Sequence, residues 1–223
     1  MLELLDAAAA LREKAPMVVQ RPKSLPDPSE FEKWLFTEAK TEDGKFPDWP
    51  FLRDYCRALI AGRKGLLPDA DGEMTGHDLI VLKRRQILVS WVTAAWFHWT
   101  TKNYPFDHGA VISSGKTTSS KQGRRIRVIA ENDGLTGLGV DVMKYPLGGE
   151  ITIHPSTQFA ALGDSLKKLH FDEFSFHRYA RPNLDAARPA VSNSRGQIVI
   201  TSTSNPLMGN TGAFVEECES APE

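Results

Sequence analysis

The sequence predicts an α/β fold in which a mostly parallel central sheet carries helices on both faces. Three observations predict it. A short, continuous apolar run at "DLIVLK" (78–83) marks a strand buried on both faces, and "GAVISS" (109–114), "LKKLHFDEF" (166–174) and "GQIVITSTSNP" (196–206) read as further strands. Segments with helical spacing alternate with them. The chain has 223 residues, 41% hydrophobic and 25% charged, enough for one such domain with a sizeable core, or a domain plus a short arm.

The elements follow in order. "MLELLDAAAALREKA" (1–15) has acids inside its apolar stretch and no basic leader, so it reads as an amphipathic helix, not a signal peptide. Residues 16–30 are rich in Pro and polar residues and read as a linker. Asp27, Pro28 and Ser29 make a helix start, with Phe31, Trp34 and Leu35 at helical spacing behind them. A Gly/Pro turn at 44–50 precedes "WPFLRDYCRALIAG" (49–62), a helix with Leu52, Tyr55, Cys56, Leu59 and Ile60 on one face and Gly62 as its stop. After a polar loop (62–78) comes the first strand, then a helix over 90–102. The second strand is followed by a helix over 119–132, which Gly123 weakens. "GEITIHPSTQFAAL" (149–162) reads as two short strands about a Pro-Ser turn. The expected organisation is an N-terminal helical arm and linker, 1–44, and one main domain, 45–223.

Bulk properties exclude several classes. A formal net charge of -1 announces no nucleic-acid binder, although a local basic patch is compatible with it. Two cysteines, Cys56 and Cys218, make no disulfide framework and fit a reducing compartment. No apolar run approaches the roughly 18 residues of a membrane span, so no membrane partner is expected. The six histidines show no paired metal-ligand spacing, and His170, inside a strand, reads as packed.

In parallel sheets the ligand lies beyond the carboxyl ends of the strands. Beyond the first strand lies "KRRQILVS" (83–90), beyond the second "SSGKTTSSKQGRR", beyond the third Asp172-Glu173, and beyond the fourth "TSTSNP". Cations, hydroxyls and two acids thus converge on one crevice, which suits a nucleoside triphosphate with its magnesium ion. A strand–loop–helix turn offers main-chain N–H groups to phosphate. Cations neutralise the β/γ charge, and a hydroxyl at the helix start, here Ser90, ligates Mg²⁺. Asp172 would hold the metal directly or through water, and Glu173 would polarise the attacking water. Adjacent residues on a strand face opposite ways, so both acids serve one crevice only if the alternation relaxes past the strand end.

These motifs resemble the ATPase domain of the large terminase subunit, the DNA-packaging motor of tailed bacteriophages, a P-loop NTPase-like fold. The resemblance covers roughly residues 45–212. "KRRQILVS" resembles its variant Walker A, "LKKLHFDEFSFH" its Walker B, "QIVITSTSNP" its third motif and "HPSTQFAALGDS" the hairpin before Walker B. Ser90 lies 82 residues before Asp172, and Thr201 lies 29 after it, in the family's order. The resemblance implies ATP and Mg²⁺ as cofactors. Lys83, at the start of the motif, would bind phosphate, with Arg84 and Arg85 as competitors and Gln86 beside them. Ser90 and Asp172 would hold the metal, and Glu173 would act as the base. Thr201, Ser202 and Thr203 would couple hydrolysis to movement, and Arg124 or Arg125 would be an arginine finger for a neighbouring subunit's nucleotide. Residues 46–55 correspond to an adenine-contacting segment, with Trp49 and Phe51 its aromatics.

Two departures from the family pattern stand out. No glycine lies between Lys83 and Ser90, and Val89 precedes the hydroxyl where lysine is usual; where the family hairpin often carries Arg-Gly, this one has Leu162-Gly163. The sequence ends soon after the third motif, so a nuclease activity is not expected of it, and it reads as a truncated or split motor subunit. The implied partners are double-stranded DNA, a portal protein, a small terminase subunit and further copies of the chain in a ring. The implied place is the host cytoplasm, transiently the portal vertex of a procapsid. Two other readings stay open, a helicase-like translocase and a non-catalytic remnant that only binds partners.

Overall fold

The computed structural model describes residues 25–65, 78–84, 87–157, 165–203 and 212–220. The expected first helix, the hairpin at Leu162-Gly163, Arg85 and Gln86 lie outside these residues.

Helix α1 (Glu30–Thr37) opens on a turn in which the Asp27 carboxylate accepts from the Ser29 main chain (2.8 Å) and hydroxyl (2.6 Å). It buries Phe31, Trp34 and Leu35, as their spacing predicts. The short hairpin of β1 (Lys40–Thr41) and β2 (Gly44–Lys45) follows, then α2 (Pro50–Gly65). Leu52, Tyr55, Cys56, Leu59 and Ile60 of α2 are all buried. Arg53 and Arg57 reach back to Glu32 of α1 at 2.7 and 3.2 Å. The pair α1–α2 shares one core with α3 (Val89–Asn103), including Phe31, Trp34, Trp96 and Trp99.

The central sheet has six strands in the order β3-β8-β7-β4-β6-β5. These are β3 (Leu79–Leu82), β4 (Gly109–Ser113), β5 (Val142–Lys144), β6 (Glu150–Pro155), β7 (Lys168–Asp172) and β8 (Gln197–Ser202). All neighbours pair in parallel except β5, which runs antiparallel on β6 at one edge. Strands β4, β7 and β8 are buried at every position; β4 and the centre of β8 read as apolar runs, whereas β7 also buries Lys168, His170 and Asp172. Their side chains divide by period two. Val111 and Val199 face the core under α1–α3 and α4 (Lys116–Asn132). Ala110, Ile112, Ile198 and Ile200 face a second core under α5 (Ala180–Asn193) and α6 (Ala213–Ser220), with Leu184, Val191 and Phe214. Each of these Val, Ile, Leu and Phe side chains removed from water stabilises the fold by roughly 1.5–3 kcal/mol.

Four expectations change. Helix α2 runs through Gly62 to Gly65, so Gly62 is not its stop. Helix α4 begins at Lys116, not 119, because Thr118 and Gly115 bond reciprocally at its start, the hydroxyl accepting from the Gly115 N–H at 2.9 Å. It runs unbroken through Gly123, where a Cβ would stand 2.3 Å from the Val140 carbonyl oxygen; close approach, not a helix break, accounts for that glycine. The strand expected over 166–174 ends at Asp172. Among the described residues no helix is long and apolar enough to cross a membrane.

Candidate active site

The carboxyl ends of β3, β7 and β8, the start of α3 and one face of α4 enclose a cleft of about 790 Å³. Lys83, Ser90, Gln122, Asp172, Glu173 and Thr203 line its polar part.

Asp172 is the last residue of β7, in register with Ser113 of β4 and Thr201 of β8, and is buried. Its Oδ1 accepts from the hydroxyls of Ser90 (2.9 Å) and Thr201 (3.3 Å), and its Oδ2 from Gln122 Nε2. Its carbonyl oxygen accepts from His177 Nε2 at 2.8 Å. Burial pushes the Asp172 carboxyl up, but His170, Lys83, the Ser90 hydroxyl and Arg125 outweigh it and hold its pKa below the ordinary value. Burial also pushes His170 down to about 4. Because the Thr201 hydroxyl donates to Asp172, it accepts from His170 Nε2, 2.9 Å away.

Glu173 adopts the left-handed conformation, φ 57°. A residue continuing the strand would point to the opposite face; this turn brings the second carboxylate into the same cleft. Its Oε2 accepts from the Thr203 N–H (3.1 Å) and hydroxyl (3.0 Å).

Lys83 follows β3, and its N–H extends the ladder to the Ser202 carbonyl at 2.9 Å. Its ammonium stands 2.6 Å from Glu173 Oε1, 3.2 Å from Ser90 Oγ and 3.5 Å from Asp172 Oδ1. One buried cation thus sits among the oxygens that sequence chemistry assigns to metal and water. Ser90, the second residue of α3, is placed by Leu88, which takes φ 60° although it is not glycine. The bend that a P-loop usually takes with glycine is made here by a residue for which that conformation costs on the order of 1–2 kcal/mol.

The donor set fits magnesium. Ser90 Oγ and Asp172 Oδ1 are hard oxygens that already share a cation. Mg²⁺ takes one or two protein oxygens and completes its shell with phosphate and water. Among the described residues no group of three or more His, Cys, Asp or Glu stands ready to hold a metal unaided.

The other expected residues divide. Thr201 reaches Asp172 and Thr203 reaches Glu173, whereas the Ser202 hydroxyl pairs with Ser175 Oγ at 2.6 Å. Arg84 lines the cleft. Arg125 lines the cleft of its own chain, its guanidinium 5.8 Å from the Trp91 ring. Arg124 is not part of the cleft lining; it is exposed and pairs with Glu42 at 2.8 Å. Trp49 and Phe51 pack against each other in a tilted arrangement, centroids 5.5 Å apart, and do not line the cleft. Trp96 and Trp99 are core residues. The sequence reading overlooked Gln122 and His177, both bonded to Asp172. Thr118, Lys121, Gln122 and Arg125 share one face of α4 and line the cleft.

No protein-family model matches this sequence, and no curated protein matches it. The fold does have solved counterparts. The large terminase of bacteriophage HK97 superposes with a TM-score of 0.59 at 10% identity, over 78% of this chain and 37% of that one. This chain has the fold of a phage large terminase. The aligned part is well under half of the HK97 protein. Weaker likenesses, with a TM-score of 0.49, are to the large terminase ATPase domain of Thermus phage P74-26 (14% identity, 57% of this chain and 60% of that one) and to the UvsW helicase of bacteriophage T4 (10% identity, 96% and 73%). At these identities the likeness concerns the fold, and the chemistry rests on the cleft.

Proposed function

We propose that the cleft binds ATP with Mg²⁺ and hydrolyses it, and that the chain is the motor domain of a large terminase that drives double-stranded DNA into a capsid. What carries the reading is one juxtaposition: Lys83, Ser90, Asp172 and Glu173 meet at the carboxyl edge of a parallel sheet, where a helix N-terminus opens on a cleft of nucleotide size.

The residues divide the work. Lys83 exchanges Glu173 for phosphate oxygens, with Arg125 and Arg84 adding positive charge from the cleft wall. Ser90 Oγ and Asp172 Oδ1 would hold the metal, which when bound would screen the phosphate charge. Release of Lys83 frees Glu173 Oε1, while Thr203 holds Oε2. Glu173 then orients water and takes its proton. Arg125 acts within its own chain; exposed Arg124 is the candidate that reaches a neighbouring copy in a ring. The further partners of this reading are a portal protein and a small terminase subunit at the portal vertex of a procapsid in the host cytoplasm. DNA contacts are to phosphate and weaken with salt.

The test is binding of a fluorescent ATP analogue, with and without Mg²⁺, to the folded wild-type chain, followed by phosphate release. Mg²⁺-dependent binding supports the reading. A folded chain that takes no nucleotide at millimolar concentration rejects it.

A further inference from the structure

We propose that Gln122 is a positioning residue that fixes the Asp172 carboxylate for metal binding; the assignment rests on the nucleotide–metal reading above and deepens it.

The two oxygens of Asp172 have separate surroundings. Oδ1 meets Ser90, Thr201 and Lys83, the side on which the metal is held. Oδ2 accepts from Gln122 Nε2. A carboxylate only accepts, so the amide of Gln122 must present its nitrogen, and its orientation is set. The bond is shut off from water: Gln122 is 2% exposed and Asp172 4%. Without this donor, the carboxylate has no hydrogen bond from α4 to oppose rotation about its terminal torsion, which is soft. Rotation would carry Oδ1 away from Ser90 Oγ.

Helix α4 is itself fixed at this point. Gly123 brings the helix backbone against the Val140 carbonyl, and Ile126 and Ile129 are buried in the core. The helix therefore cannot roll to compensate for a shortened side chain at 122. Among the described residues Gln122 makes no hydrogen bond to Lys83 or Glu173, and its bond to Asp172 is the contact through which it acts. It should affect the metal and leave phosphate capture by Lys83 intact. A residue that orients a metal ligand typically changes metal affinity by roughly 10- to 100-fold.

The experiment uses the full chain with Gln122→Met, which keeps the volume and removes the donor, and Gln122→Asn, which keeps the amide but withdraws it by one methylene. Two affinities are measured. One is for a fluorescent ADP in EDTA. The other is for Mn²⁺ in the presence of saturating ADP, by electron paramagnetic resonance. The expected result is ADP affinity within about two-fold of wild type in EDTA and Mn²⁺ affinity lower by roughly 10- to 100-fold in both variants. Circular dichroism reports folding, and the Asn variant carries the test if the Met variant does not fold. Unchanged Mn²⁺ affinity in a folded variant overturns the assignment and leaves the ATPase reading standing. Equal losses of ADP and Mn²⁺ affinity also overturn it, because Gln122 would then support the whole cleft. A folded wild type that takes up neither ADP nor Mn²⁺ overturns the ATPase reading and this assignment together.

Discussion

Replacing Lys83 by Met tests the site most directly, because the ammonium has opposite effects on nucleotide and on free metal. The side chain is 8% exposed and stands 2.6 Å from Glu173 and 3.5 Å from Asp172. Two unit charges about 4 Å apart interact by roughly 4 kcal/mol at an effective dielectric of about 20. Removing one member of a buried pair costs roughly 3–5 kcal/mol. Glu173 keeps 26% of its side-chain surface in water, which lowers the expected loss to about 2–3 kcal/mol. For a chain of this size that corresponds to a fall in Tm of about 5–10 °C. Loss of the phosphate contact weakens ATP binding by roughly 10- to 150-fold. The vacated position, however, is lined by Ser90 Oγ, Asp172 Oδ1 and Glu173 Oε1, so Lys83→Met should take up Mg²⁺ or Mn²⁺ without nucleotide. The assay is thermal unfolding of both proteins with and without metal, beside nucleotide titration. Wild type should show no metal-induced rise in Tm without nucleotide, and the variant a clear one. A variant as stable as wild type, or a wild type that binds the metal equally well without nucleotide, refutes the reasoning.

Three further outcomes follow from the same geometry. Glu173→Gln retains an acceptor for Thr203, so nucleotide and metal binding should persist while phosphate release slows by about 10²- to 10⁴-fold; an unslowed variant removes Glu173 from the chemistry. Gly123→Ala sets a methyl group against the Val140 carbonyl and should cost about 1–3 kcal/mol in urea unfolding; wild-type stability would show that the 135–141 segment yields freely. Burial depresses His170 from 6.5 to about 4, so the unfolded chain binds the extra proton first; stability is full above pH 6.5 and falls through that window toward pH 4, by about 2 kcal/mol at pH 5. His170→Gln should flatten that slope, and an unchanged slope would assign it to other groups.

Much of this was legible in the chain, for identifiable reasons. Strands β4 and β8 are buried on both faces and carry apolar runs, and in β7 Leu169 and Phe171 alternate with buried polar residues. The residues that follow them had to be chemical if the sheet had a ligand. Helix α5 went unread because Pro182 and Pro189 argue against a helix, although Leu184, Ala187 and Val191 already marked its buried face. Strand β5 has three residues at an edge, too few for a pattern. Gln122 was hidden because its role depends on a partner fifty residues away, and a glutamine among lysines, serines and arginines reads as solvated surface. The bend before α3 was invisible for the converse reason: glycine was its expected signal, and Leu88 takes the conformation instead.

The third motif gains a physical meaning from these contacts. Along the end of β8, Thr201 donates to Asp172, the next residue, Ser202, bonds Ser175 just past Glu173, and Thr203 holds Glu173 itself. Two of these three residues thus touch one acid each, and the middle one secures the turn between the acids and the following segment. A displacement of the β8 end by a fraction of an ångström would therefore change the angles of the Asp172 and Glu173 carboxylates together. Conversely, the departure of Lys83 from Glu173 alters the load on Thr203, and Lys83 is also tied to β8 through the Ser202 carbonyl. Lys83, the two acids and the strand end are linked through three consecutive residues. Such a link passes movement only if it is stiff, which is what main-chain ladder bonds and buried hydroxyls supply. Substituting Thr203 by Val should therefore damage turnover more than nucleotide binding, because the acid it holds acts after ATP has bound.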